Sequence, residues 1–210
     1  GPRARGARGG ARMRVSILDY GAGNMHSLAK AIDDGSSSVR LETDPMAALD
    51  SDVIVLPGVG AFGHAARHLA PARTALREAI RGGLPCVGIC LGMQLLFDES
   101  EEGAGKGLGV IEGRVTRLRA NRLPHIGWTT IDEPSDAAFR RAPLDVAYYA
   151  NSFACRPSRP GVVRAWSVHE DDRFPAMVRE GNAVGVQFHP EKSSRAGVAF
   201  LGELIRGAGT

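Results

Sequence analysis

Residues 85–97 read Pro85-Cys86-Val87-Gly88-Ile89-Cys90-Leu91-Gly92-Met93-Gln94-Leu95-Leu96-Phe97. The first five form a short apolar run without polar alternation, the pattern of a strand buried on both faces. Leu91–Phe97 predicts a helix, so Gly88–Gly92 spans a strand-to-helix turn. The same unit recurs upstream. Met13–Leu18 predicts a strand, Asp19–Asn24 a turn and Met25–Ile32 a helix. Val53–Leu56 predicts a buried strand stopped by Pro57-Gly58, and Ala65–Arg81 a helix ended by Gly82-Gly83. Buried strands alternating with helices predict an α/β fold with a mostly parallel sheet covered on both faces.

Beyond residue 108 the texture changes. Val110–Leu118, Trp128–Ile131 and Val146–Tyr149 alternate between turn signals and are expected as antiparallel strands added to that sheet. Ala183–Phe188 predicts a late strand and Val198–Ile205 a closing helix. The polar run Asp33–Ser38 leaves the end of the first helix without a clear assignment. No internal repeat or linker divides residues 13–210, which are expected to form a single domain.

Of 210 residues, 43% are hydrophobic and 23% charged, enough to bury a sizeable core. No apolar stretch is long enough to span a membrane. The net charge of +3 is local: Arg3, Arg5, Arg8 and Arg12 supply four of the 26 basic residues, and the other 22 face 23 acidic ones. Residues 1–12 are expected as a disordered Arg/Gly-rich leader or tag remnant, not as a nucleic-acid arm. Three cysteines, Cys86, Cys90 and Cys155, are too few and odd for a disulfide framework and point to a reducing cytoplasm.

Gly88-Ile89-Cys90-Leu91-Gly92 has the form of a nucleophile elbow with Cys in place of Ser. Flanking glycines let the backbone pack closely around a sharp turn. A helix N-terminus favours the thiolate, and the Leu91 N–H is free there to meet an oxyanion. An isolated cysteine is more often an inert core residue, but Phe188-His189-Pro190-Glu191 supplies the complement. It follows a strand, so His189 falls at the carboxyl end, where open α/β sheets bind ligands. Glu191 is spaced to fold back and hold the imidazole in one tautomer. The reading is Cys90 as nucleophile, His189 as proton shuttle and Glu191 as orienting carboxylate. A glycine-rich turn, Pro57–Gly63, also follows a strand and can bring backbone N–H groups to a reacting carbonyl. It is not a P-loop, because no Gly-Lys-Ser/Thr follows.

These three segments resemble the class I, triad-type glutamine amidotransferases. Asp19–Asn24, Leu56–Phe62, Gly88–Phe97, Gly107–Gly113, Pro124–Trp128 and Gln187–Ser193 are moreover similar to the glutaminase subunits of imidazole glycerol phosphate synthases. The similarity spans residues 13–206. It implies a flavodoxin-like fold, a mostly parallel twisted sheet with flanking helices and an antiparallel portion. It implies hydrolysis of glutamine to glutamate and ammonia through a Cys90 thioester. Ammonia would pass to a (β/α)₈-barrel cyclase subunit in a heterodimer, making imidazole glycerol phosphate and aminoimidazole carboxamide ribotide in histidine biosynthesis. By the same resemblance, Leu91 with Gly58 and Val59 forms the oxyanion hole. Gly60, Gln94, Glu102, Ser152 and Phe153 form the glutamine pocket, and Asn24 and Lys192 face the cyclase. Asn151-Ser152-Phe153 departs from a His-Ser-Tyr type segment. The Gly58-Val59-Gly60 backbone is flexible enough to leave the oxyanion hole unformed until the cyclase binds its nucleotide. One missing donor costs roughly 10²–10³ in kcat.

No cofactor or metal is expected. His64 and His68 lack the His-Glu-x-x-His pattern, and Gly21-Ala22-Gly23 lacks the third glycine of a dinucleotide fingerprint. The alternatives are a glutaminase subunit of another amidotransferase, a free-standing γ-glutamyl hydrolase and a silent glutamine-binding subunit. The Pro124–Trp128 run weighs against the first. Intact Cys90, His189 and Glu191 weigh against the last.

Overall fold

The computed structural model describes residues 12–23 and 25–208. The leader expected over residues 1–12, apart from Arg12, lies outside the described residues, as does Asn24. The first strands and helices are β1 (Met13–Leu18), α1 (His26–Ile32), β2 (Ser37–Glu42), β3 (Val53–Leu56), α2 (Phe62–Leu69), α3 (Arg73–Arg81), β4 (Cys86–Ile89) and α4 (Leu91–Leu95). Then come β5 (Glu99–Ser100), β6 (Gly113–Arg117), β7 (His125–Thr130), α5 (Ala137–Arg141), β8 (Val146–Asn151) and β9 (Phe153–Pro157). The chain closes with β10 (Val163–His169), β11 (Asp172–Glu180), β12 (Ala183–Val186) and α6 (Ser194–Gly207).

Seven strands form the main sheet in the order β10-β11-β12-β4-β3-β1-β2. Strands β2, β1, β3, β4 and β12 run parallel, and β11 and β10 extend the sheet antiparallel. β3, β4 and β12 are buried at every position because helices cover both faces. Their side chains divide with the two-residue period of a strand. Val53 and Val55 join the core under α1 and α6, whereas Ile54 and Leu56 join the one under α2, α3 and α4.

Two expectations need correction. The helix expected over Ala65–Arg81 is two helices, separated by a 3₁₀ turn at Ala70–Ala72. Pro71 sits in that turn, and its missing N–H and its ring are incompatible with an unbroken helix. The antiparallel additions to the main sheet are β10 and β11, not the three segments expected. β6 pairs with β5 and β9 in a separate three-stranded sheet, and β7 pairs with β8 in a hairpin. That hairpin meets the main sheet's edge through an Asp132–Trp166 bridge. Asp33–Ser38, which the sequence left without an assignment, forms a turn and the start of a strand. The Asp33 and Asp34 carboxylates accept from the Gly35 and Ser36 N–H groups, and β2 then starts at Ser37.

Candidate active site

Three loops leave the carboxyl ends of three adjacent parallel strands, β3, β4 and β12, and converge above the sheet. This is where open α/β sheets place their ligands. Cys90 follows β4 with φ 50° and ψ −107°, a conformation that L-residues seldom adopt. Such a backbone aims the side chain out of the sheet and starts α4 at the next residue. The flanking glycines make it sterically possible. A Cβ on Gly88 would lie 2.6 Å from the Gly92 carbonyl, and one on Gly92 1.9 Å from Leu56 O.

His189 and Glu191 follow β12. The His189 Nδ1–H donates to Glu191 Oε1 at 2.9 Å, which leaves the other ring nitrogen for Cys90. Burial pushes the imidazole's pKa down. A hydrogen bond and charge from Cys90, followed by those of Glu191, outweigh burial and hold it up to about 10. The direction of that shift favours the charged ring, and an imidazole held between a sulfur and a carboxylate is the arrangement that activates a cysteine nucleophile. The loop is fixed to β8 from both sides. His189 N–H donates to Tyr148 O at 2.8 Å, and Tyr148 N–H donates to Ser193 Oγ at 2.9 Å. Ser193 Oγ in turn donates to His189 O at 2.6 Å.

A cleft of about 220 Å³ opens onto the sulfur. Among its walls are Gly58, Gly60, Leu91, Gln94, Glu102, Ser152 and Phe153, all expected from the sequence. Gly58 closes tightly under the site, since a Cβ there would stand 2.9 Å from both Cys90 Cβ and His189 Cε1. Glu102 Oε2 accepts from the Phe62 N–H at 3.0 Å at the start of α2, which steadies the carboxylate at the cleft wall. The expected oxyanion residue Val59 does not line the cleft. Its side chain packs close to Gly23, where an added Cβ would meet Val59 Cβ at 2.9 Å. Lys192 is exposed in the 3₁₀ turn Pro190–Lys192. Asn24, expected with it at a partner interface, is not described. His64 and His68 do not converge: His64 Nε2 contacts Tyr20 O at 2.7 Å and His68 Nε2 contacts Thr43 O at 3.0 Å.

Sequence reasoning missed Gln187 and Ser193. Gln187 is fully buried, and its Nε2 lies 3.5 Å from Cys90 Sγ. The only signal was their place in the Gln187–Ser193 run. Asn151, noted only as a departure, also lines the cleft. In chemical terms the arrangement offers a strained, pocket-facing thiol, an imidazole beside it and a carboxylate behind. That set suits acyl transfer through a thioester.

The family model described as glutamine amidotransferase class-I matches residues 16–203. The imidazole glycerol phosphate synthase subunit HisH of Pyrococcus furiosus is 40% identical over 196 residues, covering 92% of this chain and 98% of that one. The HisH subunit of Halobacterium salinarum is 39% identical over 206 residues, covering 91% and 92%. A crystal structure described as a glutamine amidotransferase superposes with a TM-score of 0.71 at 18% identity, covering 93% of this chain and 99% of that one, a likeness of fold. With a class-I match across most of its length and HisH relatives aligned over nine-tenths of it, the chain belongs to the class-I glutamine amidotransferases, among the HisH subunits of imidazole glycerol phosphate synthase.

Proposed function

We propose that residues 13–210 act as one glutaminase unit, hydrolysing glutamine to glutamate and ammonia in the cytoplasm for a cyclase subunit in histidine biosynthesis. The observation that carries this reading is Cys90, held at φ 50° with His189 beside it and open to a cleft of amino-acid size. The Cys90 thiolate attacks the side-chain amide carbon of glutamine. The Leu91 N–H, with a second donor from the Gly58–Val59 backbone, takes the oxyanion. His189 protonates the departing ammonia and, now neutral, draws a proton from the water that opens the thioester. Glu191 keeps the ring in register throughout. Gly60, Gln94, Glu102, Ser152 and Phe153 hold the amino-acid end of glutamine.

The partner reading is supported by the outward face of the β7–β8 hairpin. Trp128 and Tyr148 pair across its strands with ring centroids 6.1 Å apart, and Ile126 is 62% exposed and Trp128 55%. An apolar face of this kind beside a catalytic cleft suits a protein partner, and Lys192 and Asn24 are assigned to the same interface. The test is glutamate release by the chain alone and with a histidine-pathway cyclase plus its nucleotide ligand, with Cys90→Ala as control. Low activity alone, a large rise with liganded cyclase and loss in Cys90→Ala are expected. Strong activity indifferent to the cyclase would overturn the partner-gated reading.

A further inference from the structure

We propose that Gln187 is a catalytic residue of this site: its carboxamide N–H holds the Cys90 sulfur as the reactive thiolate, and Gln94 in the cleft wall fixes that orientation. The proposal rests on reading Cys90 as the nucleophile and assigns a group that reading does not use.

Gln187 lies one residue beyond β12, and its N–H donates to Ala176 O of β11 at 2.9 Å, so its backbone is anchored in the sheet. Its side chain is fully buried between two partners. Nε2 is 3.5 Å from Cys90 Sγ, and Oε1 is 3.3 Å from Gln94 Nε2. The two ends of a carboxamide have nearly the same shape, so orientation has to come from the hydrogen-bond network. Here the network runs one way. Phe153 O is a main-chain carbonyl and can only accept. It takes the Gln94 NH₂ at 3.2 Å and the Asn151 NH₂ at 3.0 Å. Gln94 therefore presents its nitrogen, and that nitrogen also reaches Gln187. Gln187 must answer with its oxygen, which turns its own NH₂ onto the sulfur. The opposite orientation would set NH₂ against NH₂ and a carbonyl lone pair against a thiolate.

Gln187 also differs from His189 in kind. His189 gives up its proton to the leaving ammonia, whereas a carboxamide keeps its N–H at every step. Gln187 can thus still hold the sulfur when the thioester opens and the thiolate returns. Because Gln94 lines the cleft, whatever occupies the cleft is two hydrogen bonds from the nucleophile.

The experiment is alkylation of Cys90 by iodoacetamide in the full chain across pH, with the modified site assigned by peptide mass. Burial pushes the Cys86 thiol up to about 12 and Cys155 well up, so neither competes. Gln187→Met keeps the length and removes the donor. Neutral-pH alkylation is expected to slow roughly 10- to 100-fold, the worth of a hydrogen bond to a charged group, with its inflection moved to higher pH. Gln94→Met, which does not touch the sulfur, is expected to move the inflection in the same direction by less. If Gln187→Met does not fold, Gln187→Leu, smaller and equally without a donor, is expected to lose reactivity likewise. A wild-type pH profile in folded Gln187→Met or Gln187→Leu overturns the proposal. Wild-type Cys90 that neither reacts nor is protected by glutamine overturns instead the reading of Cys90 as nucleophile.

Discussion

Cys90 carries both the chemistry and a backbone cost. Its φ of 50° with ψ −107° suits glycine, and a residue with a Cβ is strained there by about 1–3 kcal/mol. Cys90→Ala and Cys90→Gly both abolish the thiol, but only the second relieves the strain. Glycine returns part of that gain by loosening the unfolded chain. Cys90→Gly is expected to be more stable than Cys90→Ala by about 1 kcal/mol in urea denaturation, with both inactive; equal midpoints would mean that the elbow is unstrained. At this scale the sequence was informative where a residue type and its place in a strand–loop unit coincide. Cys90 between two glycines and His189 two residues before Glu191 are such places. Gln187 was not legible, because a glutamine after a strand has no signature of its own. Its meaning arises from Gln94, Phe153 and Cys90, which lie 34 to 97 positions away in the chain. For Val59 the sequence singled out the loop, and its side chain packs toward Gly23.

The loop after β12 is shaped by β8. Ser193 is fully buried, accepts the Tyr148 N–H and donates to His189 O. Ser193→Ala would strand the Tyr148 N–H while His189 O keeps the Lys192 N–H. A loss of about 2 kcal/mol is expected, together with a kcat that falls more than KM rises, because His189 rather than the cleft is displaced. Thermal melting and steady-state glutamate release measure the two effects, and an unchanged kcat would mean that β8 does not position the imidazole. The strands bearing the site were legible as apolar runs: β1, β3, β4 and β12 fall within or one to two residues of their expected ends. β11 was not. Phe174–Val178 is buried throughout, so no alternation appears, and Pro175 reads as a breaker. The strand tolerates Pro175 because its register with β12 begins only at Met177 and the β10 ladder shifts nearby. Pro71, a genuine breaker, lay inside a stretch whose helical period continued on both sides.

At the scale of the whole molecule, sheets of different origin must be held together for the cleft to exist. The hairpin forms one wall, and its outer face is the proposed docking surface. Trp128→Ala, at a 55% exposed position, is expected to leave stability within about 0.5 kcal/mol but weaken cyclase binding by about 1–2 kcal/mol. Calorimetric titration reads this, and unchanged affinity would move the interface elsewhere. Asp172 ties the other small sheet to the main one. At the start of β11, its side chain is inaccessible to solvent and meets Arg156 of β9 and, at 2.8 Å, the Arg119 N–H beyond β6. Burial pushes this carboxyl's pKa up, but the Arg119 N–H and the Arg156 charge outweigh it and hold it below the ordinary value. A carboxyl with a lower pKa folded than unfolded binds its proton better in the unfolded chain. Its stabilisation is complete above the unfolded value, near 3.9, and is lost as pH falls toward the folded one. Asp172→Asn is thus expected to cost about 2–3 kcal/mol at pH 7, mostly through Arg156, since Arg119 is 83% exposed. Below pH 3.9 the gap between wild type and variant is expected to close by about 1 kcal/mol per pH unit. Urea denaturation at pH 7 and pH 3 tests this: a gap of undiminished size at pH 3 would assign the contribution of Asp172 to shape rather than charge.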